Sequence, residues 1–208
     1  MKRLLLLLLV PLLLVSCSRP HRFTKSEDGG YVDARTDIAY VLLDTMFEPA
    51  SRGTEPWGTY KEKENDFVRT FYAIGALDPE LFLADDTLCV YYAGSETLTP
   101  ETWTVTAVLL CYEDATSVEH KRFTAVDHAD VIAELRTLWF EGEGNAQQPE
   151  FAQPKLMRRI KLMFAEYPSL YYCFTFAVYE GGEAFLYEIG SGRTVKVPAA
   201  LSDTLQNG

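Results

Sequence analysis

The chain has 208 residues, of which 48% are hydrophobic, and a formal net charge of −11 at pH 7. With nearly half of its residues apolar and no low-complexity tract, it has the composition of a globular protein rather than of a disordered one. The negative charge argues against nucleic acid and anionic lipid surfaces as partners, because both are bound through basic patches.

The start of the chain has the pattern of an export signal. Lys2 and Arg3 provide a positively charged beginning, and the apolar stretch that follows, residues 4–15, is interrupted only by Pro11. This stretch is well short of the roughly 20 apolar residues that a membrane-spanning helix needs. We therefore expect a cleaved signal rather than a retained transmembrane helix.

The signal ends in a motif that resembles the lipobox of bacterial lipoproteins, Leu14-Val15-Ser16-Cys17. The resemblance covers residues 1–17 only. It implies a lipoprotein signal peptide over residues 1–16, cut before Cys17, and a lipid on the Cys17 sulfur. The exported protein would then be anchored on the outer side of the cytoplasmic membrane, or on the outer membrane if the cell has two. An ordinary signal peptide is the alternative, but Leu14 stands where ordinary cleavage favours a small residue.

A short polar segment follows the predicted lipid site. Residues 17–30 contain Pro20 and end in Gly29-Gly30, a composition typical of flexible linkers. We predict a lipidated tether over residues 17–30 and a single globular domain over residues 31–208.

Alternating apolar and polar residues predict strands through the first half of this domain. The first two flank a turn at Arg35-Thr36-Asp37 and form an opening hairpin. The predicted strands cover residues 31–33, 38–43, 58–61, 66–74, 87–92 and 102–112.

The clearest helical pattern covers residues 128–140. Asp127 stands at the N-cap position, and Gly142 follows the last helical residue. Apolar residues recur at helical spacing on one face. That face consists of Val131, Ile132, Leu135, Leu138 and Trp139.

The C-terminal third predicts an antiparallel meander. A two-residue turn at Gly181-Gly182 pairs Phe176 with Tyr187, which puts the large apolar residues of both strands on one face. A three-residue turn at residues 190–192 then brings Val195 onto the same face, whereas a two-residue turn would place it on the opposite face.

A further strand over residues 156–164 directs Arg159 and Lys161 away from the core. The expected fold class is therefore α+β. We predict a mostly antiparallel sheet with one main helix, residues 128–140, packed on its aromatic face.

Few residues have the setting of a metal or catalytic site. His21 lies in the predicted tether, His120 in a polar loop and His128 at the start of the helix, and all three are interpreted as solvated. The sequence has no metal-ligand spacing and no dinucleotide or phosphate motif, so no metal or cofactor is expected. The cysteines after Cys17 lie in apolar runs and are interpreted as free buried thiols, although an exported chain could join two of them: Cys89, Cys111 and Cys173.

Paired carboxylates are the one pattern that could support an enzyme. A glycosidase needs two acids about 5 to 10 Å apart, and acids cluster at residues 85–86, at residues 113–114, and at Glu141 and Glu143. With 30 acidic residues in the chain, such clusters arise freely and usually form a solvated surface.

Aromatic residues provide the remaining candidate sites. Tyr171 and Tyr179 alternate onto the sheet face away from the large apolar residues, and the predicted register adds Leu186 to them. This Tyr-bearing face is a possible binding surface, unless loops of the N-terminal half cover it. Trp57 and Tyr60, beside a loop rich in Pro and Gly, form a second candidate.

These observations favour a non-enzymatic lipoprotein domain. It would be held on the membrane by the lipid on Cys17 and would bind a protein or glycan partner. The alternative is an envelope hydrolase that uses two carboxylates.

Overall fold

The computed structural model describes residues 20–112, 118–149 and 152–207. The predicted signal peptide, Cys17 and the acids at residues 113–114 lie outside the described residues. The strands are β1 (His21–Lys25), β2 (Tyr31–Asp33), β3 (Ala39–Leu42), β4 (Phe47–Pro49), β5 (Gly58–Lys61), β6 (Val68–Ala73), β7 (Phe82–Asp85), β8 (Val90–Tyr92), β9 (Val105–Tyr112), β10 (Glu119–Thr124), β11 (Leu156–Phe164), β12 (Leu170–Val178), β13 (Ala184–Tyr187) and β14 (Thr194–Val197), and the helices are α1 (Ala129–Glu141) and α2 (Ala199–Asn207). The described part of the chain is thus mostly β-structure.

Seven strands form a closed barrel in the order β1-β2-β3-β8-β7-β6-β5. The barrel closes where β1 pairs with β5 in parallel, with His21 opposite Gly58. A Cβ atom on Gly58 would lie 2.4 Å from the Phe23 ring, so this close approach requires glycine. The interior is filled by Phe23, Tyr31, Tyr40, Phe71, Leu83 and Tyr91.

The remaining strands form a large antiparallel sheet in the order β10-β9-β11-β12-β13-β14. Strand β4 pairs with the first residues of β12, where Glu48 lies opposite Tyr171. Helix α1 packs on one face of this sheet, and the Trp139 ring stacks on Phe174 with ring centroids 4.2 Å apart. We call this the helix face and the opposite side the groove face.

The helix prediction is confirmed, since residues 128–140 correspond to α1 within one residue at each end. The predicted cap is wrong. The N-cap residue is His128, without a side-chain hydrogen bond, and Asp127 instead accepts a 2.7 Å hydrogen bond from Thr124. Neither the barrel nor α2 was predicted.

The predicted tether is wrong for residues 21–25, which form β1. Phe23 is only 5% exposed and its ring lies 4.6 Å from Phe71 inside the barrel. The polar residues on either side of Phe23 face outward, as in any strand that is buried on one side. The folded domain therefore begins near His21 rather than at Tyr31.

The predicted hairpin register is wrong by one residue. Tyr179 donates its main-chain N–H to the Glu183 carbonyl, so the turn holds three residues and ends at Gly182, whose φ is +81°. Phe176 consequently lies opposite Leu186 rather than Tyr187. A one-residue shift exchanges the two faces of a strand, and Leu186 is therefore buried on the helix face.

Candidate functional site

A groove lies between the barrel and the groove face of the large sheet. It consists of two cavities that share Glu48 and Leu88 as walls. The first, of about 260 Å³, we call the apolar cavity; it is lined by Leu42, Leu43, Asp44, Thr45, Phe47, Glu48, Thr87, Leu88, Cys89 and Val90. The second, of about 300 Å³, we call the charged cavity; it is lined by Glu48, Pro49, Ala50, Ser51, Arg52, Leu88, Leu109, Cys111, Glu119, Arg122, Lys161 and Tyr171.

Strand register places the charged residues of the groove on one side of the sheet. Lys161 lies opposite Cys173 in the next strand, and Tyr171 lies two residues before Cys173. Glu48 lies opposite Tyr171. Because alternate residues of a strand share a face, these side chains converge on the groove face while their neighbours pack under α1.

Glu48 is the centre of a partly buried charge cluster. Its Oε1 accepts a 2.7 Å hydrogen bond from Arg159, and its Oε2 accepts one of 2.7 Å from Lys161. Burial raises the pKa of Glu48, but the hydrogen bonds and charges of the two cations outweigh burial and hold it below its usual value. Burial lowers the pKa of Lys161, and Glu48 outweighs that effect and raises it. The three groups are therefore ionised together.

A second acid, Glu188, is 7% exposed, and its negative charge raises the pKa of Arg159. It accepts a 2.9 Å hydrogen bond from the Thr45 hydroxyl and one of 2.6 Å from the Ser191 N–H. Burial raises its pKa, and the main-chain donors lower it below the usual value. Glu188 thus adds a second, more distant negative charge near Arg159, whose direct partner is Glu48.

The three described cysteines are free thiols. Cys173 is fully buried next to Glu48, and burial raises the pKa of its thiol well above the usual range. Burial raises the pKa of Cys111 as well. Both thiols are therefore protonated at neutral pH, and they contribute to packing rather than to charge.

Leu88, in the turn between β7 and β8, occupies a strained position at the groove. Its φ is +67°, in the left-handed region, which costs a non-glycine residue about 1 to 2 kcal/mol. Its side chain is nevertheless 48% exposed, so burial compensates little of this strain. Leu42, 54% exposed, lies at the same cavity.

The carboxylate of Asp85 holds this turn in place. Asp85 has no exposed surface. Its Oδ1 accepts hydrogen bonds from the Thr87 N–H, the Thr87 hydroxyl and the Cys89 N–H at 2.9, 2.7 and 3.0 Å. Its Oδ2 lies 3.2 Å from both the Tyr91 hydroxyl and the Arg69 guanidinium. Three donors of the turn are thus bound to a carboxylate that Tyr91 and Arg69 hold from the other side, and this fixes the backbone on either side of Leu88.

The residues predicted as binding surfaces are only partly brought together. Tyr171 lines the charged cavity. Tyr179 and Leu186, named as a possible binding surface unless covered, are 5% and 0% exposed, so neither is available to a partner. Leu186 faces the helix through the register shift described above. Tyr179 is covered by the loop before β11, where its hydroxyl donates a 2.8 Å hydrogen bond to Gln148.

Trp57 and Tyr60 lie on the barrel and do not line the groove. The Trp57 ring stacks on His21 with ring centroids 4.6 Å apart, and Tyr60 packs edge-on against Tyr31. His21 also lies 2.5 Å from the Asp33 carboxylate. Its interpretation as a solvated tether residue is therefore wrong.

Of the predicted acidic clusters, those at residues 85–86 and at Glu141 and Glu143 do not line either cavity. Asp85 holds the turn, while Glu141 and Glu143 are exposed on the last turn of α1 and just after it. The sequence pattern did not single out these groove residues: Glu48 and Arg52 lie outside the predicted strands, and Leu88 falls within the predicted strand over residues 87–92. The sequence did offer one indication of the acid at this site. Arg159 and Lys161 were predicted to lie on the same sheet face, and two cations that become buried there need a carboxylate partner.

No group of three or more potential metal ligands occurs within residues 20–112, 118–149 and 152–207. Across those same ranges, neither helix is long and apolar enough to cross a membrane. No family model, curated protein or solved structure matches this chain.

Proposed function

We propose that this protein is a lipid-anchored envelope protein that binds a ligand in the groove without altering it chemically. The observation that carries the proposal is Leu88, an exposed aliphatic side chain held in a strained conformation at the wall shared by both cavities. Backbone strain of this kind persists only where the surrounding structure imposes it, and it concentrates at binding sites.

The rest of the groove supports a binding role. The two cavities together have the size of a small-molecule site, for which about 300 to 1,000 Å³ is typical. One cavity offers aliphatic walls and the other offers fixed charges, which is the usual division between affinity and orientation. Because Asp85 and Glu48 already fix both sides by hydrogen bonds, the site is preformed, and little ordering entropy is lost on binding.

Lipidation of Cys17 would hold this groove close to the membrane. Strand β1 begins at His21, so only residues 17–20 would separate the lipid from the barrel. Four extended residues span at most about 14 Å. The proposed arrangement is therefore a domain on the membrane surface rather than one on a long flexible tether.

Fractionation of cells that make the Cys17→Ser variant tests the anchor. We expect that variant to remain unprocessed by the lipoprotein peptidase and to carry no lipid, because the thiolate that accepts the diacylglycerol is gone. Normal processing and wild-type membrane partitioning of the variant would show that Cys17 is not the lipid site.

Native mass spectrometry tests the groove. Protein purified from the producing cells without denaturation is expected to carry a bound small molecule, and the double variant Leu42→Asn, Leu88→Asn is expected to lose it. The matched control is Leu81→Asn, since Leu81 is 43% exposed but lies outside both cavities. A bound mass that both variants retain, or none in the wild type, contradicts the proposal.

A further inference from the structure

We propose that the ligand of the groove is a single-chain aliphatic acid, with its hydrocarbon part in the apolar cavity and its carboxylate in the charged cavity. This inference rests on the proposed function and specifies the chemistry of the same site. It follows from an unequal number of hydrogen-bond donors and acceptors around the charged cavity.

The cations of the charged cavity have donors to spare. Lys161 has a side chain only 9% exposed, and of its three ammonium protons one is used, on Glu48. Arg122 directs Nε and Nη2 at Glu119, which leaves Nη1. Arg52 donates only from Nη1, to the Asp85 carbonyl at 3.3 Å. Two of these cations also lie over aromatic rings, Arg52 at 4.2 Å from the centroid of Tyr72 and Lys161 at 5.2 Å from that of Tyr171. Their remaining N–H groups have no oxygen or nitrogen acceptor among the described residues.

The acceptors of the same cavity are already engaged. Each oxygen of Glu48 receives a hydrogen bond from a different cation. Both oxygens of Glu119 lie within 3.2 Å of Arg122 nitrogens. Tyr171 borders the same cavity, and a phenol hydroxyl can donate to a ligand as well as accept from it. A ligand that brings acceptor oxygens therefore pairs with the unused donors, whereas an ammonium would compete with Lys161, Arg159 and Arg122 for carboxylates that those cations already hold.

Charge points in the same direction. The lining of the charged cavity includes three cations, Arg52, Arg122 and Lys161, against two carboxylates, Glu48 and Glu119. This local excess of positive charge stands out in a chain whose net charge is −11. Near a cation that is mostly removed from water, an anion is held more strongly than at an open surface.

The apolar cavity supplies the second half of the ligand. Leu42 and Leu88 present aliphatic surface at its walls although neither is buried, and Val90 closes the interior side. Leu88 also borders the charged cavity. A linear chain that passes Leu88 would thus reach the ammonium of Lys161 with its carboxylate.

Three probes with the same hydrocarbon chain test this inference: decanoate, decanol and decylammonium, each below its micelle concentration. The protein is the chain from residue 17 onward with Cys17→Ser, which keeps every described residue. NMR amide shifts are followed at Leu88 and Lys161. We expect saturable shifts with decanoate. Decanol should bind about tenfold more weakly, because it lacks the charge that pairs with the cations of the cavity. Decylammonium should bind more weakly still, because its own positive charge is repelled by them.

Charge variants connect the preference to the named residues. Two variants remove these cations: the double variant Arg52→Gln, Arg122→Gln and the single variant Lys161→Met. Each should weaken the binding of decanoate by about tenfold and leave the affinity for decanol nearly unchanged. Both arginines have exposed side chains, so their replacement leaves the fold intact. The matched control is Arg22→Gln, Arg35→Gln, which removes two exposed barrel arginines outside the groove.

The outcomes separate the inference from the proposed function. If decanol binds as tightly as decanoate, or if the charge variants bind decanoate as the wild type does, the inference that the ligand is an acid is wrong. The proposal that the groove binds a ligand would still hold. If no probe shifts Leu88 while the purified protein carries a mass that depends on Leu88, the groove binds a different chemical class. If that mass is also absent, the proposed function fails with the inference.

Discussion

The two faces of the large sheet are formed by the same strands but differ in what they bury: apolar side chains on one face and charged side chains on the other. On the helix face, Phe174 and Phe176 are completely buried against α1 and its neighbours. On the groove face, Lys161 and Glu48 are mostly buried as ions, and a cavity remains open beside them. One face is closed by apolar contact, which stabilises the fold. The other is held open by charge, which costs desolvation and leaves room for a ligand.

The contrast is largest for paired alanine substitutions in β12. Phe176→Ala should lower the free energy of unfolding by about 3 to 5 kcal/mol, because it leaves a cavity under α1. Tyr171→Ala should lower it by about 1 kcal/mol, because its ring borders a cavity that already exists. Denaturant midpoints of the two variants measure the difference. Equal losses would mean that the groove face is packed as tightly as the helix face.

Substitution of Glu48 tests the charge cluster on the groove face. Glu48→Gln keeps the shape but leaves Lys161 and Arg159 without their shared carboxylate. Removing one partner of a buried ion pair typically costs 3 to 5 kcal/mol, and since the Glu48 side chain is 20% exposed, we expect about 2 kcal/mol. Glu119→Gln is the matched control, because its exposed pair with Arg122 should change stability by less than about 0.5 kcal/mol.

The same variant should change the pH dependence of stability. The pKa of Glu48 is lower in the folded protein than its ordinary value of 4.5. Its contribution is therefore fully present above pH 4.5 and is lost as the pH falls through the folded pKa. Unfolding of wild type and Glu48→Gln across the acid range should show their difference shrinking with acid. A difference that is constant with pH would show that the charge of Glu48 contributes nothing.

How far the sequence predicts this molecule differs between the two faces. The spacing of Ile132, Leu135 and Trp139 predicts α1, because a single helical face meets a single core. The sheet face that carries Phe176 is likewise predicted by alternation. The hairpin register was wrong because Gly181-Gly182 fits both a two-residue and a three-residue turn, and one residue of difference moved Leu186 to the other face.

The barrel and the groove are harder to predict, because they depend on contacts between residues far apart in the chain. Strand β1 is a short polar segment whose single apolar residue, Phe23, is buried only once the barrel closes. Glu48 lies 111 residues from Arg159, and no local pattern joins them. Leu88 carries no sequence signal of its left-handed conformation, since the turn is determined by the carboxylate of Asp85.

The smallest effect is expected at Leu88, and its sign distinguishes the two faces. Asparagine tolerates the left-handed region better than leucine, so Leu88→Asn should raise the free energy of unfolding by up to about 1 kcal/mol. On the helix face, every loss of an aliphatic side chain should destabilise. Leu81→Asn is the control: Leu81 is equally accessible but has an ordinary φ, so its replacement should bring no gain. Thermal unfolding of both variants gives the comparison.

A gain in stability at Leu88 together with loss of the bound ligand would mean that the strain is retained for binding, because the fold alone is more stable without it. A loss of stability would mean that Leu88 packs as a core residue does, and the groove would then have no reason to hold it exposed.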